Sequence, residues 1–379
     1  MAWGEVTRTD VASAGAISAA RTWWEELSAD ADIYDEVELP GTGPLAFGSF
    51  PFSSTSDAGG VMIVPRFILG VREGTAWLTE VSRTPLTHGP TTEEIAPESP
   101  PPTRWSDVTF PPVNSTNWNA AVEKAVGHIT SGDVHKVVLS RSVEAHASHP
   151  IDPRLLLEPL TREYPTCWSF HIDGMVGATP ELLVRVDKNL VISRVLAGTI
   201  RPTGDEEADL AHAAKLARSS KDREEHEYAV RSITDVLHRY CSSFNVPEAP
   251  SVIHLKNVMH LASDVTGVLD EGTSSLEVVE ALHPSAAVCG TPTEQAAALI
   301  DNLEEFDRGR YSGPVGWVDA HGDGEWAIAL RCGHISSSDP RVMTLYAGCG
   351  VVAASNPEAE WIESEAKLEP LRSALKQQP

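Results

Sequence analysis

The chain has 379 residues, of which 41% are hydrophobic and 22% charged, and a formal net charge of −25. That is the balance of a globular protein, and a field of that sign excludes nucleic acid and anionic membrane as partners. No apolar run approaches the roughly 20 residues of a membrane span. The start MAWGEVTRTD does not read as a signal peptide, and five scattered cysteines (Cys167, Cys241, Cys289, Cys332, Cys349) suggest neither a zinc site nor a disulfide framework. A cytoplasmic protein with reduced thiols is expected. An anionic ligand would need local cations, meaning Arg, Lys or a bound metal, to offset the global repulsion.

In chain order, a helix is predicted over about 10–27, then strands in FGSFPF (47–52), VMIVPR (61–66) and AWLTEV (76–81). Residues 85–112, rich in Pro, Thr and Glu, read as a long surface connection. A helix over 117–131 and a strong strand over 134–145 follow. Next come a strand over 167–174 and a hairpin over 182–195 that turns at 187–189. Helix is predicted over 205–240, interrupted near Ser219-Ser220, and again over 292–303. Single strands over 326–335 and 342–348 precede a last helix over 357–376. Strands joined by tight turns, with helices interspersed, predict an α+β fold with mainly antiparallel sheet.

The last helix has a good N-cap in Asn356, Pro357 at its first position and Glu358 in its first turn. At about 100° per residue, Trp361, Leu368, Leu371 and Leu375 form an apolar stripe. Glu360, Glu363 and Lys367 cluster within about 60° of one another at its edge. On this helix alone they read as a solvated charged face with an i,i+4 pair. Glu225 is more pointed. It falls inside the apolar stripe of Ala229, Ile233, Val236 and Tyr240, with Asp222 on the same side. A buried carboxylate needs a cation, a metal or a proton, so Glu225 reads either as half of a buried salt bridge or as a metal ligand. If it meets Glu360 and Glu363, the product is an oxygen-only site suited to Mg²⁺ rather than zinc.

Other positions stay open on their own chemistry. Lys136 alternates with Val134 and Val138, so it is either a buried lysine able to act as a neutral base or an edge-strand charge. Arg331 shares a strand face with Ala327 and Ala329, which leave room for a carboxylate that its fork would clamp; the alternative is a solvent face. Glu181, on a face with Leu183 and Arg185, reads as a surface residue, and His260 and Tyr311 carry no signal alone. Gly198-Thr199 and Gly348-Cys349-Gly350 are predicted as turns after strands. Backbone N–H groups at such turns can bind carboxylate oxygens.

Taken together, the segments HKVVLSR (135–141), GATPELL (177–183), LAGT (196–199), SSKDREEHE (219–227), VMHL (258–261), LHPSAAVCGTP (282–292), RGRYSGPVGW (308–317), ALRCG (329–333) and AGCGVVAASNPEAEWIESEAKL (347–368) resemble the chorismate-utilising enzymes. That family includes isochorismate, salicylate, anthranilate and aminodeoxychorismate synthases. The resemblance implies one structural domain over 1–379, with 1–116 giving strands and a connection and 117–376 the catalytic region. It implies two mainly antiparallel sheets flanked by helices, a monomer, chorismate as substrate and Mg²⁺ as cofactor.

By resemblance, Glu225, Glu360 and Glu363 are the magnesium carboxylates, with Asp222 acting through water. Arg331 and Tyr311 hold the enolpyruvyl carboxylate, and Gly198, Thr199, His260, Gly348 and Lys367 make further substrate contacts. Lys136 stands where water-using members carry their base and ammonia-using members typically carry Gln. Ala197 stands where aminodeoxychorismate synthases have a nucleophilic lysine. The implied activity is isochorismate synthesis, with Lys136 deprotonating water for attack at C2 and Glu181 protonating the departing C4 hydroxyl. Salicylate synthesis, which adds pyruvate elimination, is the alternative; Ala287, where some salicylate synthases have Thr, leans against it. A silent chorismate-binding homologue is a third reading, which the intact acid, base and carboxylates oppose.

Overall fold

The computed structural model describes residues 1–95, 101–200, 202–256 and 258–376. Every strand pairing within them is antiparallel, and the strands form three sheets. The ten-stranded sheet runs from Cys241–Asn245 through Met259–Leu269, Leu190–Ile200, Leu182–Asp187, Gly324–Ile328 and Pro314–Asp319 to three amino-terminal strands, Leu45–Ser49, Gly60–Val64 and Thr7–Val11. The first residues of the chain thus extend the sheet that later residues build. The seven-stranded sheet is centred on Lys136–Ala147 and Val342–Val351, with Cys332–Ile335, Met175–Thr179 and Trp168–Ile172 beyond them. A small third sheet, Ala2–Trp3 with Phe67–Arg72 and Thr75–Glu80, was not expected from two-sheet architecture.

The main core joins the two large sheets, with Val137, Leu139 and Val351 from one and Val184, Val191 and Trp326 from the other. A second cluster covers the far side of the seven-stranded sheet. There Leu368, Leu371 and Leu375 of the last helix and Leu155, Leu156 and Leu160 of the helix Pro153–Glu163 pack with Val143, Val176 and Leu345. Apolar residues at helical spacing therefore decide where the last helix docks.

The feature that makes the site is a seam between the sheets. Met175–Thr179 belongs to the seven-stranded sheet, and after only Pro180 and Glu181 the strand Leu182–Asp187 belongs to the ten-stranded one. Its partner crosses the other way, from Gly324–Ile328 to Cys332–Ile335. The crossings stay stitched: Ile328 donates its N–H to Glu181 O at 3.1 Å, and Ala178 donates to Arg331 O at 3.3 Å. The predicted single strand over 326–335 is thus two strands, broken where Arg331 adopts φ 49°. A left-handed conformation is uncommon for a residue with a side chain and marks a place where the surroundings dictate the backbone. A Cβ on Gly177 would lie 2.9 Å from Arg331 O and 2.5 Å from Cys332 Cβ, so only glycine lets the crossing strands approach this closely.

Other expectations need correction. The first helix begins at Ala16, because Thr7–Val11 pairs with Gly60–Val64 instead. The 85–112 connection is not simply superficial: Trp105 is buried and its indole donates to Leu375 O at 2.8 Å, pinning the segment to the last helix. Residues 96–100 of that connection lie outside the described residues. The helix Pro153–Glu163 went unpredicted because Pro159 interrupts its pattern. The break near Ser219 is real. Ser219 is extended, and its hydroxyl accepts the Asp222 N–H at 3.2 Å, starting the helix Ser220–Leu237.

Candidate active site

A small cavity of about 50 Å³, partly open to solvent, lies where the sheets part. Of the predicted site residues, Glu181, Gly198, Thr199, Glu225, His260, Tyr311, Arg331, Gly348 and Lys367 line it. Lys136, Asp222, Glu360 and Glu363 do not form its wall but stand against residues that do.

The seam delivers two of these groups. Glu181 sits between the crossing strands, not on a surface strand face, and is only 6% exposed. Burial pushes its carboxyl up to about 7, although Lys136, Arg331 and Lys367 pull the other way. Near neutral pH it can therefore hold a proton and give it up. Arg331 is likewise drawn inward. Burial lowers its pKa, and its Nε is buried without a hydrogen-bond partner. A guanidinium lining a cavity with one N–H left unpartnered is suited to an anionic oxygen.

Arg331 Nη2 lies 3.0 Å from His260 Nε2. Guanidinium only donates, so Nε2 accepts, and the neutral ring carries its proton on Nδ1. That atom is 3.1 Å from Thr199 Oγ1 and 3.3 Å from Gly198 O. Burial, then the Arg331 and Lys367 charges, hold His260 well below its ordinary pKa, consistent with a neutral ring. The predicted turn at Gly198 is in fact a bulge inside the strand Leu190–Ile200, with φ 79° and a register shift between Ala197 and Thr199. The bulge brings Gly198 against Asp222, whose Cβ would lie 2.9 Å from any Cβ there.

Lys136 is fully buried on an interior strand, which removes the edge-charge reading. Its Nζ is 3.4 Å from Glu225 Oε1. Both pack on Gly350, which with Gly348 lies inside the strand Val342–Val351 and not in a turn. A Cβ on Gly350 would overlap Glu225 Oε1 and stand 3.0 Å from Lys136 Cε. Gly350→Ala is therefore expected to leave the melting curve within a few degrees but cut turnover about tenfold or more, by splitting the pair. Wild-type kcat in that variant would show that the Lys136–Glu225 arrangement is dispensable.

The last helix does not carry a solvated face. Glu360 is 1% exposed, and Lys367 bridges Glu363 at 2.6 Å while donating to Gly348 O at 2.9 Å. Burial is the largest influence on Lys367 and lowers it, but the Glu363 charge and hydrogen bond together with Cys349 turn the net direction up. The Cys349 thiol is pushed far up by burial and by the Glu360 and Glu363 charges, which places both carboxylates beside it. Glu225, Glu360 and Glu363 therefore bracket Cys349-Gly350 from two helices. As donors they fit a hard divalent cation in kind, being carboxylate oxygens with neighbouring cations already offsetting their charge. Among the described residues, no three His, Cys, Asp or Glu side chains already converge as a preformed cage.

Sequence reasoning missed the apolar part of the wall, Val138, Leu196, Val288 and Leu330, and also Ser312. Ser312 has φ 63° and is 1% exposed. Its only signal was its place in Tyr-Ser-Gly-Pro, which reads as an ordinary turn.

The family model described as chorismate binding enzyme matches residues 1–376. The chain belongs to the chorismate-binding enzyme family. Within that family it is 38% identical to isochorismate synthase DhbC of Bacillus subtilis over 271 residues, covering 68% of this chain and 67% of that one. It is 32% identical to isochorismate synthase MenF of the same organism over 379 residues, covering 93% and 79%. Its fold matches MenF, the menaquinone-specific isochorismate synthase of Escherichia coli, with a TM-score of 0.77 and 25% identity over 99% of this chain and 85% of the other. Among the described residues, no helix is long and apolar enough to cross a membrane.

Proposed function

We propose that this chorismate-binding enzyme is an isochorismate synthase, an isomerase that interconverts chorismate and isochorismate. The observation that carries the reading is one cavity holding a carboxylic acid poised near pH 7 and a lysine beyond its wall, in a chain whose matched relatives bear that name. The buried Lys136, acting as the base, takes a proton from water. The water oxygen bonds to C2 of the ring, the ring double bonds shift, and the C4–O bond breaks as Glu181 delivers its proton. Water enters and water leaves, so the step is reversible with the two roles exchanged.

Arg331 and Tyr311 receive the enolpyruvyl carboxylate, and neutral His260 fixes the guanidinium. Lys367 and the Gly348 backbone hold the substrate from the last helix. Glu225, Glu360 and Glu363, with Asp222 through water, would hold Mg²⁺, which when bound supplies positive charge opposite a ring carboxylate. Ala197 in the wall presents a methyl group, so that position supplies no amine nucleophile.

The test is product analysis with purified protein, chorismate and Mg²⁺. Isochorismate approaching an equilibrium ratio with chorismate is expected, and EDTA should stop turnover. Salicylate with stoichiometric pyruvate would select the salicylate reading, in which Ala287 of the cavity wall would need a different role. Anthranilate formed with ammonium would overturn both.

A further inference from the structure

Arg141 lies outside the cavity wall yet is 7% exposed, on the same strand as Lys136. A cation is buried there only for strong local reasons. Its guanidinium stacks 3.9 Å from the Trp361 ring centroid. Its Nε donates to Ser364 Oγ at 2.8 Å, and its Nη2 binds Glu365. Glu365 also binds Arg372 at 2.6 Å. All of these partners belong to the last helix, and the three that Arg141 touches fall between Glu360 and Lys367.

We propose that Arg141 is a positioning residue for the cation site: it fixes the roll and depth of the last helix so that Glu360 and Glu363 present their carboxylates toward Glu225. This rests on the magnesium reading above. The grip needs arginine itself. A lysine could still pair with Glu365 but could not stack as a plane on Trp361 while donating sideways to Ser364. The strand that Arg141 occupies also carries Lys136, so one element sets both the base and the helix facing it. Supports of this kind are worth about 10- to 100-fold in metal affinity when removed.

The test is Mn²⁺ binding, read from loss of the free-ion electron paramagnetic resonance signal, alone and with chorismate brought to equilibrium. Arg141→Lys is expected to bind Mn²⁺ about 10- to 100-fold more weakly than wild type. Leu375→Ala, which loosens the distal end of the same helix, should lower the melting temperature but keep Mn²⁺ affinity within about twofold. Ser364→Ala, which deletes one contact, carries the same expectation at smaller size if Arg141→Lys fails to fold. Wild-type affinity in Arg141→Lys, or equal weakening in Leu375→Ala, overturns the positioning role alone. Absence of saturable binding by the wild type overturns the magnesium reading and this proposal with it.

Discussion

Replacing Lys136 with methionine is expected to lower kcat for isochorismate formation by about 10²- to 10⁴-fold, the usual worth of a positioned general base. Methionine keeps the length of the buried stem, so the change tests the amine and not the packing. The Lys136 side chain is fully buried and its Nζ stands 3.4 Å from Glu225 Oε1, so the substitution also removes half of an ion pair. Breaking a fully buried pair costs about 3–5 kcal/mol. Here the loss should be nearer 1–3 kcal/mol, because Glu225 lines the cavity and can be hydrated there. Folding is followed by circular dichroism and product by chromatography at saturating Mg²⁺. Undiminished turnover in a folded Lys136→Met protein would exclude the amine as the base.

Glu181→Gln is expected to cost a similar factor in kcat and, more tellingly, to alter the pH profile. The forward reaction needs the protonated acid, and burial raises that carboxyl to about 7. Forward kcat of the wild type should therefore fall as pH rises above about 7, and this limb should vanish in the variant. Stability gives an independent reading. Between the ordinary carboxyl value of 4.5 and about 7, the folded chain holds a proton that the unfolded chain releases. The folded state thus binds more protons in that window, so stability falls as pH rises through it, by roughly 3 kcal/mol in all. Denaturant midpoints between pH 4.5 and 7.5 should show this drift in the wild type and a smaller one in Glu181→Gln, because buried Asp319, raised to about 6, remains. An unchanged alkaline limb would assign it to another group.

The two carboxylates were not equally legible in the sequence. Glu225 announced itself because a helix has a fixed period, and an acid on an apolar stripe is visible in one dimension. Both of its open readings survive in one place: the cation-site candidate is also a salt bridge to Lys136. Glu181 was illegible by pattern. Its burial comes from a strand changing sheets, and no local period encodes which sheet a strand joins. Arg331 was legible as a possible clamp or a solvent-facing residue, but the break was not, since alternation read straight through the turn that its backbone makes. The last helix shows the opposite failure. Its bounds were readable to the residue, yet its charged face seemed solvated, because the preceding strand Val342–Val351 covers it only once the chain has folded back. Order among the motifs supplied what periodicity could not.

The double crossing at Glu181 and Arg331 has a further consequence. Glu181 and Arg331 are fixed to neither sheet alone; each rides on the join, as a pen rides on the hinge of a pair of compasses. Lys136 and the strand bearing Gly348 and Gly350 belong wholly to one arm, and Gly198 and His260 wholly to the other. A small change in the angle between the arms alters the span from base to acid while leaving every residue in place. Substitutions in the shared core, far from any substrate atom, can therefore retune rate or product by setting that angle.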